Sequence, residues 1–256
     1  MTEPTINFEQ RGAIGIITLN RPEQRNAITA QMVAELREIR ASVGWDSGIR
    51  VFVLAACGAD FSAGTDPDSL QQFTQREEQI RHHTVAAHIA SLPQPVVAAI
   101  NGAAFGQGLE LALACDIRIA AHGAHFSMTQ ISGDDMPFDG GTQRLPRVVG
   151  RMKALEMILC GAVIDAQEAK EIGLVNRLVP QEALLPEALK LAEDLAAKAP
   201  LAMKYAKEAV MKGMDMTLSQ GLRLEADLYF LLHTTGDRRE GIEAFREKRP
   251  PKFREK

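Results

Sequence analysis

Three aspartates, three glycines and two prolines share one stretch, SMTQISGDDMPFDGGTQRLP (residues 127–146), which no helical or strand period organises. Asp134, Asp135 and Asp139 at this density repel one another. If several of them share a pocket, one is pushed towards its protonated form, as proton donation requires. Otherwise Asp134 and Asp135 form a solvated turn and Asp139 caps the helix that follows. A further carboxylate, Glu110, falls in the first turn of the helix opened by NGAAFGQGLELALACD (residues 101–116). A helix dipole favours an acid there. An acid or base beside an anion site fits as well, because the N–H groups of a helix start lack internal acceptors. A second loop, ADFSAGTDPDSL (residues 59–70), also follows an apolar strand, and Ala63-Gly64 lets its backbone approach a ligand closely. Together the two loops could offer N–H donors to an oxygen that gains negative charge during a reaction, an arrangement worth on the order of several kcal/mol.

Other chemistries fit poorly. Gly106-Gln107-Gly108 is followed by Leu111 where a dinucleotide fingerprint needs glycine, and no GxxxxGK[ST] motif is present. His82, His83 and His88 have neither an HExxH pattern nor cysteine partners, so they read as packing or exposed residues and no metal site is expected. Cys57, Cys115 and Cys160 are odd in number and lack a CxxC spacing, as buried thiols of a reducing compartment do. A net charge of −4 argues against nucleic acid and anionic membranes as partners. No export signal or membrane-length apolar run is visible, so a soluble, cytoplasmic protein is expected.

The elements that would position these residues alternate between strand and helix. Residues 13–19, 51–56, 96–100 and 116–121 are short apolar or β-branched runs suited to buried strands. Thr29 is a candidate N-cap for a helix whose Met32, Leu36, Ile39 and Val43 form one apolar stripe. A helix is expected from near Leu109, and residues 76–90 read as one helix-like stretch carrying the three histidines. Asp165 followed by Glu168 opens another helix in capping-box fashion. From about Ala183 the pattern is helical only: residues 185–198, 201–211, 217–233 and 237–245. The chain therefore reads as an α/β core (residues 1–195) followed by a helical C-terminal region (196–256).

In order along the chain come NRPEQRNAI (20–28), DFSAGTD (60–66), NGAAFGQGLELALACDIRIA (101–120), GGTQRLPRVVG (140–150), AKEIGLVNRLV (169–179) and EGIEAFREKRPPKF (240–253). This series, spanning nearly the whole chain, resembles the enoyl-CoA hydratase/isomerase, or crotonase, family. The resemblance implies a crotonase-like spiral of strand-strand-helix units with a C-terminal helical region that drives a homotrimer or a hexamer of two trimers. It implies an acyl-CoA substrate and no separate cofactor, coenzyme A being part of the substrate. By motif position, the N–H groups of Thr65 and Gln107 would form the oxyanion hole. Ala63 and Gly64 would border the substrate just before Thr65; Asp66, Pro67 and Asp68 would line the pantetheine arm, and Arg25, Asn26 and Ala27 would lie near the nucleotide. Lys248 or Lys252, in a C-terminal tail with eight basic and five acidic residues, would meet CoA phosphates. Glu110 matches the first of two glutamates with which family hydratases add water.

Two departures stand out. The second glutamate falls on Gln130, whose amide can hold a water or carbonyl but cannot exchange a proton. Gln107 replaces a usual glycine, placing a side chain in a tight turn. The PFDGG run (137–141) is similar to SFDGG in naphthoyl-CoA synthases, and Asp139 lies within one position of an aspartate used by dienoyl-CoA isomerases. The leading expectation is therefore a lyase that hydrates an enoyl- or dienoyl-CoA, with Glu110 activating water and Asp139 or a neighbour supplying the second carboxylate. A shifted acid suits an alicyclic or conjugated dienoyl group. The alternatives are a double-bond isomerase using one carboxylate and a catalytically silent thioester-binding member.

Overall fold

The computed structural model describes residues 4–43, 48–70 and 75–254. β1 (Ile6–Arg11) and β2 (Ile14–Leu19) form an antiparallel hairpin that turns at Gly12, whose φ is 58°. β3 (Val51–Ala56), β4 (Val96–Ile100), β6 (Ile117–Ala121) and β9 (Arg177–Val179) add to it in parallel, giving the order β1-β2-β3-β4-β6-β9. A smaller sheet contains β5 (Ala103–Phe105), β7 (His125–Ser127) and β8 (Ile164–Asp165). The chain steps from large sheet to small sheet to helix: β4 and β5 lead to a helix, and β6 and β7 precede another pair. This is the spiral of strand-strand-helix units that the resemblance implies.

Alternation along the buried strands feeds two cores. Phe52 and Leu54 point to one face of the sheet, Val51, Val53 and Ala55 to the other, as the two-residue period of a strand requires. α1 (Ala30–Ser42) packs Met32, Val33 and Leu36 into the first core, and Thr29 Oγ1 accepts from Met32 N at 3.3 Å as its N-cap. After β3 come α2 (Pro67–Leu70), α3 (Arg76–His83) and α4 (Ala86–Ala90); after β5 comes α5 (Gln107–Leu113), every residue of which is buried. α6 (Gly141–Val149) and α7 (Arg151–Cys160) follow, then α8 (Ala166–Glu171), capped by Asp165 Oδ1 accepting from Glu168 N at 2.8 Å. α9 (Leu184–Ala196) closes the second face with Leu184, Ala188, Ala192 and Ala196.

α10 (Pro200–Gly213), α11 (Leu218–His233) and α12 (Gly236–Glu247) complete the chain. Pro200 sits in the first turn of α10, where its missing N–H costs nothing, and Thr217 with Gln220 forms a full capping box on α11. These helices leave large apolar side chains in solvent, including Val210, Leu218, Leu222, Phe230 and Phe245.

Three expectations change. α5 begins at Gln107, two residues before Leu109, because Gly106 turns the chain with φ 50°. Residues 76–90 are two helices, with Thr84 extended between them. Residues 127–146 are not irregular throughout: α6 starts at Gly141 behind Gly140 (φ 108°) and tolerates Pro146 inside it.

Candidate active site

Two backbone crossings bring the glycine loops together. Ser62 N donates to Ala103 O and Phe105 N to Ser62 O, both at 2.9 Å, bridging the loop after β3 to β5. Ile28 N donates to Gly64 O (2.8 Å) and Asp66 N to Ile28 O (2.9 Å), on either side of Thr65. On the other loop, Leu109 N and Glu110 N both donate to Gly106 O, at 3.0 and 3.1 Å. These ladders bypass two groups: among the described residues neither the Thr65 N–H nor the Gln107 N–H has an acceptor. Gly64 passes so close that a Cβ there would stand 3.2 Å from Phe105 O and 3.7 Å from Gln107 N, and its φ of 105° also favours glycine. Two unused donors on adjoining, internally braced loops suit an oxyanion.

Glu110 lies one turn into α5 with no exposed surface. Its Oε1 accepts from Asp139 N at 2.9 Å and Gly141 N at 2.7 Å, and its Oε2 from Gln130 Nε2 at 3.0 Å. Gly141 is small of necessity, since a Cβ there would fall 2.9 Å from Glu110 Oε1. Burial pushes the Glu110 carboxyl up to about 7, aided by the nearby Asp139 charge, while the Gly141 and Asp139 N–H groups and Arg144 pull the other way. A carboxyl poised there can take or give a proton near neutral pH. Gln130 Oε1 is buried and has no hydrogen-bond partner among the described residues.

Asp139 is also buried. Its Oδ2 accepts from Val85 N (2.7 Å), Ala86 N (2.9 Å) and Gln107 Nε2 (3.1 Å). It does cap a helix, but that helix is α4, more than fifty residues earlier, and not α6, whose N-cap is Gly140. This cap starts α4 anew and accounts for the break after α3. Burial raises the Asp139 pKa, opposed by these donors and by Arg144, whose Nη1 donates to Asp139 O at 2.7 Å. The other two acids do not join the pocket: Asp134 (φ 59°) and Asp135 lie exposed in a turn, where Asp135 Oδ1 accepts from Met136 N. The solvated-turn reading holds for that pair.

The Gln107 side chain does not crowd its turn. It is 1% exposed and runs inward, its Oε1 accepting from Thr65 Oγ1 at 2.9 Å and its Nε2 donating to His83 O and Asp139 Oδ2.

The residues expected along CoA divide. Asn26, expected near the nucleotide, is wholly buried and spends its amide internally: Oδ1 accepts from Arg21 N, and Nδ2 donates to Cys57 O and Asp60 O. It clamps the loop in a left-handed turn (φ 53°), with its side-chain amide committed to these partners. Asp66 caps α2 through Asp68 N and Ser69 N and pairs with Arg21 Nη1 at 3.0 Å, so it too braces the loop. Arg25 is exposed and salt-bridged to Asp60 at 2.5 Å. Ala27 and Ala63 are half-buried, Pro67 and Asp68 exposed. Lys248 is exposed at the left-handed end of α12, as is Lys252 beyond it; the last two tail residues lie outside the described residues. His82 and His83 end α3 and His88 lies in α4; among the described residues no group of three or more His, Cys, Asp or Glu side chains could hold a metal ion. No helix is long and apolar enough to cross a membrane, again among the described residues. The clamp of Asn26 and the N–H pair of Val85 and Ala86 carry no sequence signal, because each depends on a partner distant in the chain.

The family model for enoyl-CoA hydratase/isomerase matches residues 9–256. The chain belongs to the enoyl-CoA hydratase/isomerase family. Among relatives of this family member, YngF of Bacillus subtilis is 43% identical over 242 residues, covering 92% of each chain. The 2,3-dehydroadipyl-CoA hydratase of Escherichia coli is 37% identical over 258 residues, covering 99% of each. The crystal structure of enoyl-CoA hydratase from Bacillus anthracis superposes with a TM-score of 0.92 at 40% identity, covering 98% of this chain and 100% of that one.

Proposed function

We propose that this family member adds water to, or removes it from, an enoyl- or dienoyl-CoA thioester. The thioester oxygen would lie between the N–H groups of Thr65 and Gln107, which stabilise the enolate. Ionised Glu110 would take a proton from water as the water oxygen bonds to the unsaturated carbon. A carboxyl would then return one proton to the α-carbon, so the elements of water are gained overall. The observation that carries this reading is the pairing of Glu110 with Gln130. One water can donate one hydrogen to Glu110 Oε2 and the other to the open Gln130 Oε1. Asp139 is the proposed second carboxylate, acting through its Oδ1, which has no hydrogen bond among the described residues.

Arg25, Ala27, Ala63, Gly64, Pro67, Asp68 and Lys248 are proposed to border the CoA moiety, with no separate cofactor. The exposed apolar faces of the region from residue 196 onward support assembly into trimers or hexamers. A cytoplasmic location remains part of the proposal. The displaced acid favours a conjugated dienoyl or alicyclic acyl group.

An amide at position 130 supports a second reading. Glu110 alone, poised near neutrality, can remove and return a proton, which suffices for double-bond isomerisation. Turnover of a panel of linear, dienoyl and alicyclic thioesters in D₂O, read by product mass, separates the two. A product heavier by one water supports hydration, while deuterium uptake with no added oxygen supports isomerisation. Binding with no mass change would leave the catalytically silent reading.

A further inference from the structure

Gln107 belongs to this site by its backbone, but its side chain does something separate. The amide has only one orientation compatible with its neighbours. One end faces His83 O and Asp139 Oδ2, two acceptors, so it must be the NH₂ end; the other takes the Thr65 hydroxyl. Asp139 Oδ2 thus receives three N–H donors, from Val85, Ala86 and Gln107, and its lone pairs are fully committed.

We propose that the Gln107 side chain is a positioning residue that ties the oxyanion loop to Asp139 and confines any proton on Asp139 to Oδ1. Thr65 Oγ1, the Gln107 amide and the Asp139 carboxylate form one hydrogen-bonded chain, and Asp139 N extends it to Glu110. A shift of the Thr65 loop is thereby transmitted to both acids. Its catalytic consequence rests on the hydration reading above; its structural consequence does not.

The groups that bear on Asp139 are Glu110 from α5, Arg144 from α6 and the His83 end of α3. Gln107→Met keeps the backbone N–H and most of the side-chain volume but removes the donor to Oδ2. A carboxylate that loses a donor to its charged form holds its proton more tightly. The test is a carboxyl ¹³C NMR titration of aspartate-labelled protein, with Asp139 assigned by Asp139→Asn, which needs no thioester. The expected result is an upward displacement of the Asp139 midpoint in Gln107→Met by about one pH unit. An unchanged or lowered midpoint overturns the proposal. Should Gln107→Met not fold, Gln107→Gly, which keeps the backbone N–H and restores the glycine usual in the family, is read the same way, with an upward displacement expected and an unchanged midpoint again overturning the proposal. Where the wild type turns over a thioester, Gln107→Met is expected to lower kcat about tenfold with little change in KM, and to shift the pH profile with the Asp139 midpoint. A merely structural side chain would lower the melting temperature without moving either midpoint. If no thioester is turned over, the hydration reading fails and the titration still decides this one.

Discussion

Gln130 Nε2 donates to Glu110 Oε2 at 3.0 Å, so the side chain that replaces an expected second acid is a ligand of the first. The amide nitrogen is committed to Glu110, and the amide's own carbonyl oxygen is left without a hydrogen bond among the described residues.

Restoring the acid tests this relationship. Gln130→Glu would put two carboxyl groups in hydrogen-bond contact, and they would share a proton. The low-pH limb governed by Glu110, whose pKa is already raised to about 7, is expected to move up by about one unit or more. The pH dependence of kcat/KM reads this directly; an unmoved limb would mean that Gln130 and Glu110 do not interact in solution.

Glu110 also links pH to stability. Its folded pKa, about 7, lies above the ordinary 4.5, so the native state holds the proton more tightly. The resulting stabilisation is complete below pH 4.5 and is lost as pH rises through 7. Glu110→Gln stays neutral and avoids that loss. Its melting temperature relative to wild type should therefore climb between pH 4.5 and 7 and level off above. Turnover should fall by about 10³-fold, within the usual range for a lost acid–base group. A difference in melting temperature that is flat with pH would contradict the burial of this charge.

Asn26 is expected to matter through the fold. Asn26→Ala strands Arg21 N and the carbonyls of Cys57 and Asp60, and should cost about 2–4 kcal/mol in denaturant unfolding. A cost under about 0.5 kcal/mol would show that water replaces the clamp without penalty.

Gly64→Ala adds a Cβ 3.2 Å from Phe105 O at a φ of 105°. The loop must move to relieve strain of about 1–3 kcal/mol, carrying the Thr65 N–H with it. Turnover should drop by about 10- to 100-fold with thioester binding less affected. Wild-type turnover in this variant would remove Thr65 from the oxyanion site.

Much of this was legible in the sequence. The β-branched runs of β2, β3 and β4 and the Thr29 and Asp165 caps are local signals, and the structure places them as the local chemistry requires. The two glycine loops were visible because glycine marks where backbones approach. What stayed hidden depends on distant partners. Asp139 caps Val85 and Ala86, so neither the break between α3 and α4 nor the role of that acid follows from neighbours in sequence. The motif position of Asn26 points towards the nucleotide, while the three hydrogen bonds of its amide depend on groups that no neighbour in sequence announces. For three aspartates close in sequence, a shared pocket and a solvated turn were both open; only Asp139 turns inward, because Asp134 and Asp135 ride an exposed turn while Gly140-Gly141 lets the chain fold over Glu110.

The most direct test of the account is a turnover of the purified protein with dienoyl and alicyclic enoyl-CoA thioesters in oxygen-18 water. Hydration through Glu110 predicts one heavy oxygen on the acyl group of the product with wild type, and loss of that label with Glu110→Gln. A wild-type product without heavy oxygen, or a label that survives Glu110→Gln unchanged, would contradict it.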